Sequence, residues 1–169
     1  VLDALAKASN VVFEETRYGY VAEVSIKGRK VFLLKATTYM DLSGNAVRYW
    51  LNNENIDQSR LLVISEDVAL TLGHFRPKAN GSNGGHNGLG HIQQLIGQQY
   101  ARLRMGIGNN YPQGMQVDYV LGRYSDDDMK TLQPALDLGV EIIRSFVLAG
   151  IDITMNQYNK LGKGVKQNG

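Results

Sequence analysis

The sequence contains no cysteine, so neither a disulfide nor a thiolate-bound metal can form in it. This fits a reducing, cytoplasmic setting. No run approaches the roughly 18–20 consecutive apolar residues of a membrane-spanning helix, and no membrane partner is expected. Charge of neither sign is in large excess: 18 Lys and Arg against 16 Asp and Glu leave a net +2. Such a balance permits a local basic patch but does not by itself announce a nucleic-acid binder. Several catalytic signatures are also missing. There is no G-x-S-x-G elbow to expose a serine nucleophile and no G-x-x-x-x-G-K-S/T phosphate loop. The histidines His86 and His91 are five residues apart, which does not place them on one helix face as a zinc pair, so no metal site is expected. The opening residues do not read as a secretory signal. Val1-Leu2-Asp3-Ala4-Leu5-Ala6-Lys7-Ala8 reads as a helix without an N-cap, from which an upstream part of the domain is expected.

What is present suits one globular domain: 169 residues, 43% hydrophobic and 20% charged. Residues 11–15 form a short β-like run. Tyr18, Tyr20, Ala22, Val24 and Ile26 share one parity, and Lys27-Gly28-Arg29 then turns the chain into the apolar residues 31–34, predicting two antiparallel strands. A helix is expected over residues 45–53. Leu61-Leu62-Val63-Ile64 reads as a strand buried on both faces. Residues 89–96 place Leu89, Ile92, Leu95 and Ile96 on one helix face, and residues 102–107 alternate as a strand with Leu103, Met105 and Ile107 inward. Residues 117–121 suggest a short extended piece. Asp126-Asp127-Asp128 open a long helix with Gly150 as its stop. After Lys160 the Gly- and Lys-rich residues 161–169 are expected to form a mobile tail. Strands alternating with helices predict a single α/β domain with a mixed central sheet flanked by helices.

The densest chemistry lies in Lys78-Ala79-Asn80-Gly81-Ser82-Asn83-Gly84-Gly85-His86-Asn87-Gly88-Leu89. Clustered glycines forgo packing and permit close approach of backbone to another group. A helix start just beyond them aims free N–H groups at an anionic partner. A mobile surface loop is the plain alternative. Glu66 and Asp67 follow the apolar strand ending at Ile64, where an α/β sheet places its catalytic carboxylates, or else they simply open a solvated loop. His86 is either a base or a structural residue bonded to loop backbone. Arg76 and Lys78 share one parity, as do Arg102 and Arg104. The four together can clamp a phosphate, whereas any one of them alone is ordinary surface charge.

Three segments in order resemble the bacterial peptidyl-tRNA hydrolases. Lys35-Ala36-Thr37-Thr38-Tyr39-Met40-Asp41-Leu42-Ser43-Gly44 is similar to that family's K-P-x-T-F/Y-M-N-x-S-G. Arg76-Pro77-Lys78 through Gly84-Gly85-His86-Asn87-Gly88-Leu89 is similar to R-x-K…G-G-H-N-G-L, and Arg102-Leu103-Arg104-Met105-Gly106-Ile107-Gly108 to R-L-R-x-G-I-G. The resemblance runs over essentially the whole chain. It implies one α/β domain, monomeric and cofactor-free, that hydrolyses the ester joining a peptide to the 3′ ribose of tRNA. It also implies roles: Asn87 holds substrate, Met40 walls the peptide cleft, and Arg104 is basic beside the active site. Arg76 and Lys78 grip a tRNA phosphate, Gly84 and Gly85 pack closely beneath the cleft, and His86 has no role as a base.

The departures matter as much. The family's first strand and loop, G-L-G-N-P-G…T-R-H-N-x-G-F, carries its catalytic His and does not occur in this sequence, and that strand lies centrally in the family's sheet. Damage to the fold and the possibility of dimerisation follow as expectations. Asp41 stands where the family has Asn, replacing an amide donor with an anion, and Glu66 stands where the base-orienting carboxylate is Asp. Three readings result. The first is a peptidyl-tRNA hydrolase of impaired activity, with Glu66, Asn87 and Asp41 as its catalytic positions. The second is an inactive relative that binds tRNA or another structured RNA. The third is a protein-interaction module.

Overall fold

Two residues turn the chain between its first long strands. Lys27 and Gly28 both take positive φ, 48° and 81°, the left-handed pair that a two-residue hairpin requires, and Ile26 stands opposite Arg29 in the ladder. The computed structural model describes residues 1–36, 43–67, 69–80, 87–106 and 126–168. In chain order these form α1 (Leu2–Ala8), β1 (Glu14–Thr16), β2 (Gly19–Ile26), β3 (Arg29–Ala36), α2 (Ser43–Asn53), a 3-10 turn (Gln58–Arg60) and β4 (Leu62–Asp67). Then follow β5 (Phe75–Lys78), α3 (Asn87–Ile96), β6 (Ala101–Gly106), α4 (Asp126–Ala149) and α5 (Ile151–Asn168).

The strands make two three-stranded sheets, an antiparallel meander β1-β2-β3 and a mixed sheet ordered β4-β6-β5. In the mixed sheet β6 runs parallel to β4 and antiparallel to β5. The expected mixed sheet is therefore present, and among the described residues no ladder joins it to the meander. Helix α4 makes the connection instead. Its Val140 and Ile143 enter the core of the meander with Leu5, Ala22, Val24 and Leu33. Its Ala135 and Ile142 enter a second core with Phe75 and Leu103. Gly139 lies between these stripes, where a side-chain carbon would sit 3.0 Å from Val1 and 3.1 Å from Phe75, so glycine permits this close fit. Leu62 and Ile64 of β4 pack against both cores. On the opposite face of the mixed sheet, Leu89 and Ile92 of α3 pack with Tyr100, Leu61 and Val63.

Several sequence expectations change here. The strand expected to end at Ile64 continues to Asp67, so Glu66 and Asp67 belong to β4 rather than to a loop after it. Its residues are mostly half-buried and not buried on both faces. Tyr20 has the inward parity of its strand yet is 39% exposed, since β2 runs out beside the three-residue β1 at that end. Gly150 takes φ +88° and ends α4 as expected. The residues after Lys160, expected as a tail, continue the backbone of α5 to Asn168. The expected extended piece at residues 117–121 and the inward Ile107 lie outside the described residues. Among the described residues, no helix is long and apolar enough to cross a membrane.

Gly106 closes β6 against the segment between β4 and β5. Its N–H donates to the His74 carbonyl at 2.7 Å, and its own carbonyl accepts from Gly73 N–H at 3.0 Å. A Cβ at this position would collide with the Thr71 carbonyl oxygen and meet Leu70 Cβ at 2.9 Å. Because most of these neighbours are backbone, Gly106→Ala is expected to destabilise the fold by about 1–3 kcal/mol. The check is a lower urea midpoint at an unchanged slope.

Candidate active site

The register of the mixed sheet decides which side chains meet. Ser65 pairs with Arg104 and Val63 with Arg102 across β4 and β6. Arg76 pairs with Arg104 and Lys78 with Arg102 across β5 and β6. Directly opposed residues share a face, so Val63, Ser65, Asp67, Arg76, Lys78, Arg102 and Arg104 all belong to the face covered by α3. Four cations thus crowd one side of a two-strand ladder. Like charges placed directly opposite are unfavourable, and the structure shows how two of the four are held.

Arg104 Nη1 lies 3.3 Å from Asp67 Oδ2, with both side chains about 15% exposed (16% and 15%). The other Asp67 oxygen accepts from the backbone N–H of Ala69 at 2.9 Å, so this carboxylate is fixed from both sides. Arg102 is fully buried. Its guanidinium carbon stands 4.1 Å from the centre of the Tyr100 ring, and Nη2 donates to the Gln98 carbonyl at 3.0 Å. Burial pulls the Arg102 guanidinium below its ordinary pKa and pushes the Tyr100 hydroxyl up. The expectation that all four cations form one surface clamp is corrected on this point: Arg102 is an interior residue. Arg76 and Lys78, on the short edge strand β5, remain half-exposed. Strand β5 is itself held by α5, where Asn159 Nδ2 donates to the Pro77 carbonyl at 3.2 Å.

Glu66 falls on the other face of β4, in register with Met105 and half-buried at the end of the strand. Of the remaining expected site residues, Asn87 is the first residue of α3. Met40, Asp41, Gly84, Gly85 and His86 lie outside the described residues. Of the two carboxylates that the sequence offers, Asp67 is the one paired with Arg104, whereas only Glu66 is singled out by the family resemblance. His91 reads from the sequence only as half of a rejected metal pair, yet its Nδ1 accepts the N–H of Gly44 at 2.9 Å.

A sequence profile for the family described as peptidyl-tRNA hydrolase matches residues 1–168. The chain belongs to the peptidyl-tRNA hydrolase family. A relative from Phocaeicola vulgatus, named peptidyl-tRNA hydrolase, is 57% identical over 161 residues, covering 95% of this chain and 86% of its own length. One of the same name from Bacteroides fragilis is 55% identical over the same shares. The crystal structure of the peptidyl-tRNA hydrolase of Acinetobacter baumannii matches with a TM-score of 0.83 at 28% identity, covering 94% of this chain and 82% of that one. The fold of this chain is thus that of a peptidyl-tRNA hydrolase.

The Asp67–Arg104 pair is largely shielded from water, so its charges are less screened than those of a surface pair. Asp67→Asn is expected to cost about 1–3 kcal/mol in unfolding free energy. A double-mutant cycle with Arg104→Gln should return a coupling of about 1–2 kcal/mol. A coupling near zero would remove this pair as the anchor of the site.

Proposed function

We propose that this chain binds peptidyl-tRNA and acts on the ester between the peptide and the 3′ ribose. The observation that carries this reading is the cationic face of β5 and β6 beside the carboxylate-bearing end of β4, in a chain of the peptidyl-tRNA hydrolase family. Arg76 and Lys78 take the tRNA phosphates, since they are partly exposed and, unlike Arg104, are not paired with Asp67. Arg104, fixed by Asp67, supplies positive potential beside the reacting end. Asn87, at the start of α3, holds the substrate where helix N–H groups favour developing negative charge. By resemblance to the family, Met40 is assigned to the peptide cleft, Asp41 to a substrate-binding position that is Asn in the family, and Gly84 and Gly85 to close packing beneath the cleft.

In the reaction a water oxygen attacks the ester carbonyl and its proton passes to a base. The tetrahedral oxyanion then collapses with cleavage of the bond to the ribose oxygen, which takes a proton as it leaves. In this reading Glu66 orients the base. Three histidines stand in this sequence, His74, His86 and His91. One of them, His91, is already engaged with Gly44. Asp41 in place of an amide donor lowers the rate, since one lost oxyanion donor costs about 10²–10³. Binding without efficient hydrolysis is therefore the second reading, favoured by Asp41 and Glu66. The natural setting for either is the cytoplasm, where tRNA is found.

The 169-residue chain is expected to bind tRNA with strong salt dependence and to hydrolyse peptidyl-tRNA at least about a hundredfold more slowly than the Bacteroides fragilis relative assayed beside it. Arg76→Gln and Lys78→Gln should each weaken binding and lower the slope of log K against log salt by about 0.7–0.9. Equal turnover would overturn the reading that Asp41 and Glu66 impair hydrolysis. Unchanged salt slopes would move the phosphate contacts away from β5.

A further inference from the structure

Strand β5 is a weak platform for the two cations it carries. It has only the four residues Phe75–Lys78, at the edge of its sheet. Pro77 has no N–H to give to the ladder. Arg76 and Lys78 stand directly opposite Arg104 and Arg102, where like charges push the strands apart. Helix α5 holds β5 in place. Its Tyr158 packs against the core that contains Phe75 and Leu103. The next residue, Asn159, donates from Nδ2 to the Pro77 carbonyl at 3.2 Å across 82 residues of sequence. Pro77 is fully buried, so water does not readily replace that donor. A peptide unit is planar and trans, so its C=O and the N–H that follows point in opposite directions. The Pro77 carbonyl points to α5, and the Lys78 N–H therefore points to β6. One peptide unit, set between Arg76 and Lys78, is thus bonded to a helix on one side and faces a strand on the other.

We infer that Asn159 is a positioning residue for tRNA binding: through the Pro77 carbonyl it keeps β5 seated on β6 against the repulsion of its own cations, so that Arg76 and Lys78 offer two phosphate contacts at a fixed spacing. This rests on the reading of Arg76 and Lys78 as the phosphate contacts. Asn159 acts without touching the RNA. Its effect is preorganisation, since an edge strand that shifts must be reordered on binding, and that reordering offsets part of the attraction of each phosphate.

The test separates positioning from general stability. Leu has nearly the shape of Asn without its donor, whereas Gln keeps the amide donor one methylene further out. Asn159→Leu should speed exchange of the Lys78 amide by about three- to tenfold, the scale of one hydrogen bond. In the same variant tRNA affinity should fall by a similar factor, and the slope of log K against log salt should drop by up to about 0.7–0.9, the share of one phosphate contact. Asn159→Gln should retain most of all three. An earlier melt of Asn159→Leu with affinity and salt slope unchanged would make the bond merely structural and overturn the inference, as would losses in Asn159→Gln as complete as in Asn159→Leu. Lowered slopes in Arg76→Gln and Lys78→Gln beside an unchanged slope in Asn159→Leu would sink the inference alone. Absence of tRNA binding by the unmodified chain would sink it together with the functional reading.

Discussion

Strand β6 is the constraint on which the rest depends. It is hydrogen-bonded along both edges, parallel to β4 and antiparallel to β5, so its register fixes the chemistry of three strands at once. Leu103, fully buried, commits one face to the core beneath α4. Once Leu103 points inward, period-two alternation commits Arg102 and Arg104 to the face under α3. A slip of one residue would bury both arginines in the apolar core and turn Leu103 toward the cations. The core therefore selects the register, and the register brings Asp67, and not Glu66, to Arg104.

The same logic explains how a chain with two separate ladders holds one shape. Sheets joined by hydrogen bonds share a register, whereas sheets joined by a helix share only a surface. Helix α4 supplies that surface with two apolar stripes, one for each core, and Gly139 lets the layers approach. Strand β4 reinforces the junction, because Leu62 and Ile64 pack against both cores. The site is built on the outer face of the mixed sheet, away from α4, so its geometry depends on the β4–β6–β5 ladders more than on how the meander is attached.

Much of this was legible in the sequence, for reasons that are local. The Lys27-Gly28 turn, the α3 stripe of Leu89 and Ile92, and the Gly150 stop each rest on short-range backbone chemistry. Strand β5 was not legible. It has four residues, one of them Pro77, and proline argues against a strand except at an edge, which is where β5 lies. The burial of Arg102 was also hidden, because an arginine at an alternating position reads as surface until a stacking partner such as Tyr100 is known. The choice between Glu66 and Asp67 was beyond sequence as well. They are neighbours in β4, and only pairing with β6 shows which one faces a cation. Family resemblance alone points to the other proposed positions, such as Met40 and Asp41, which no local pattern would single out.

The cationic ladder also bears on the proposed binding of an anion. Opposing Arg76 to Arg104 and Lys78 to Arg102 costs a few tenths to about 1 kcal/mol per pair, a cost that folding alone gives no reason to retain. Asp67 offsets it for Arg104, and Tyr100 offsets part of it for Arg102. Among the described residues no carboxylate pairs with Arg76 or Lys78, and both are partly exposed on the edge strand β5. Repulsion therefore falls mainly on the two cations that a ligand can reach. A polyanion laid along β5 would relieve repulsion already present in the free protein. That relief adds to the direct attraction of each phosphate, and it is lost at high salt, where counterions serve the same purpose.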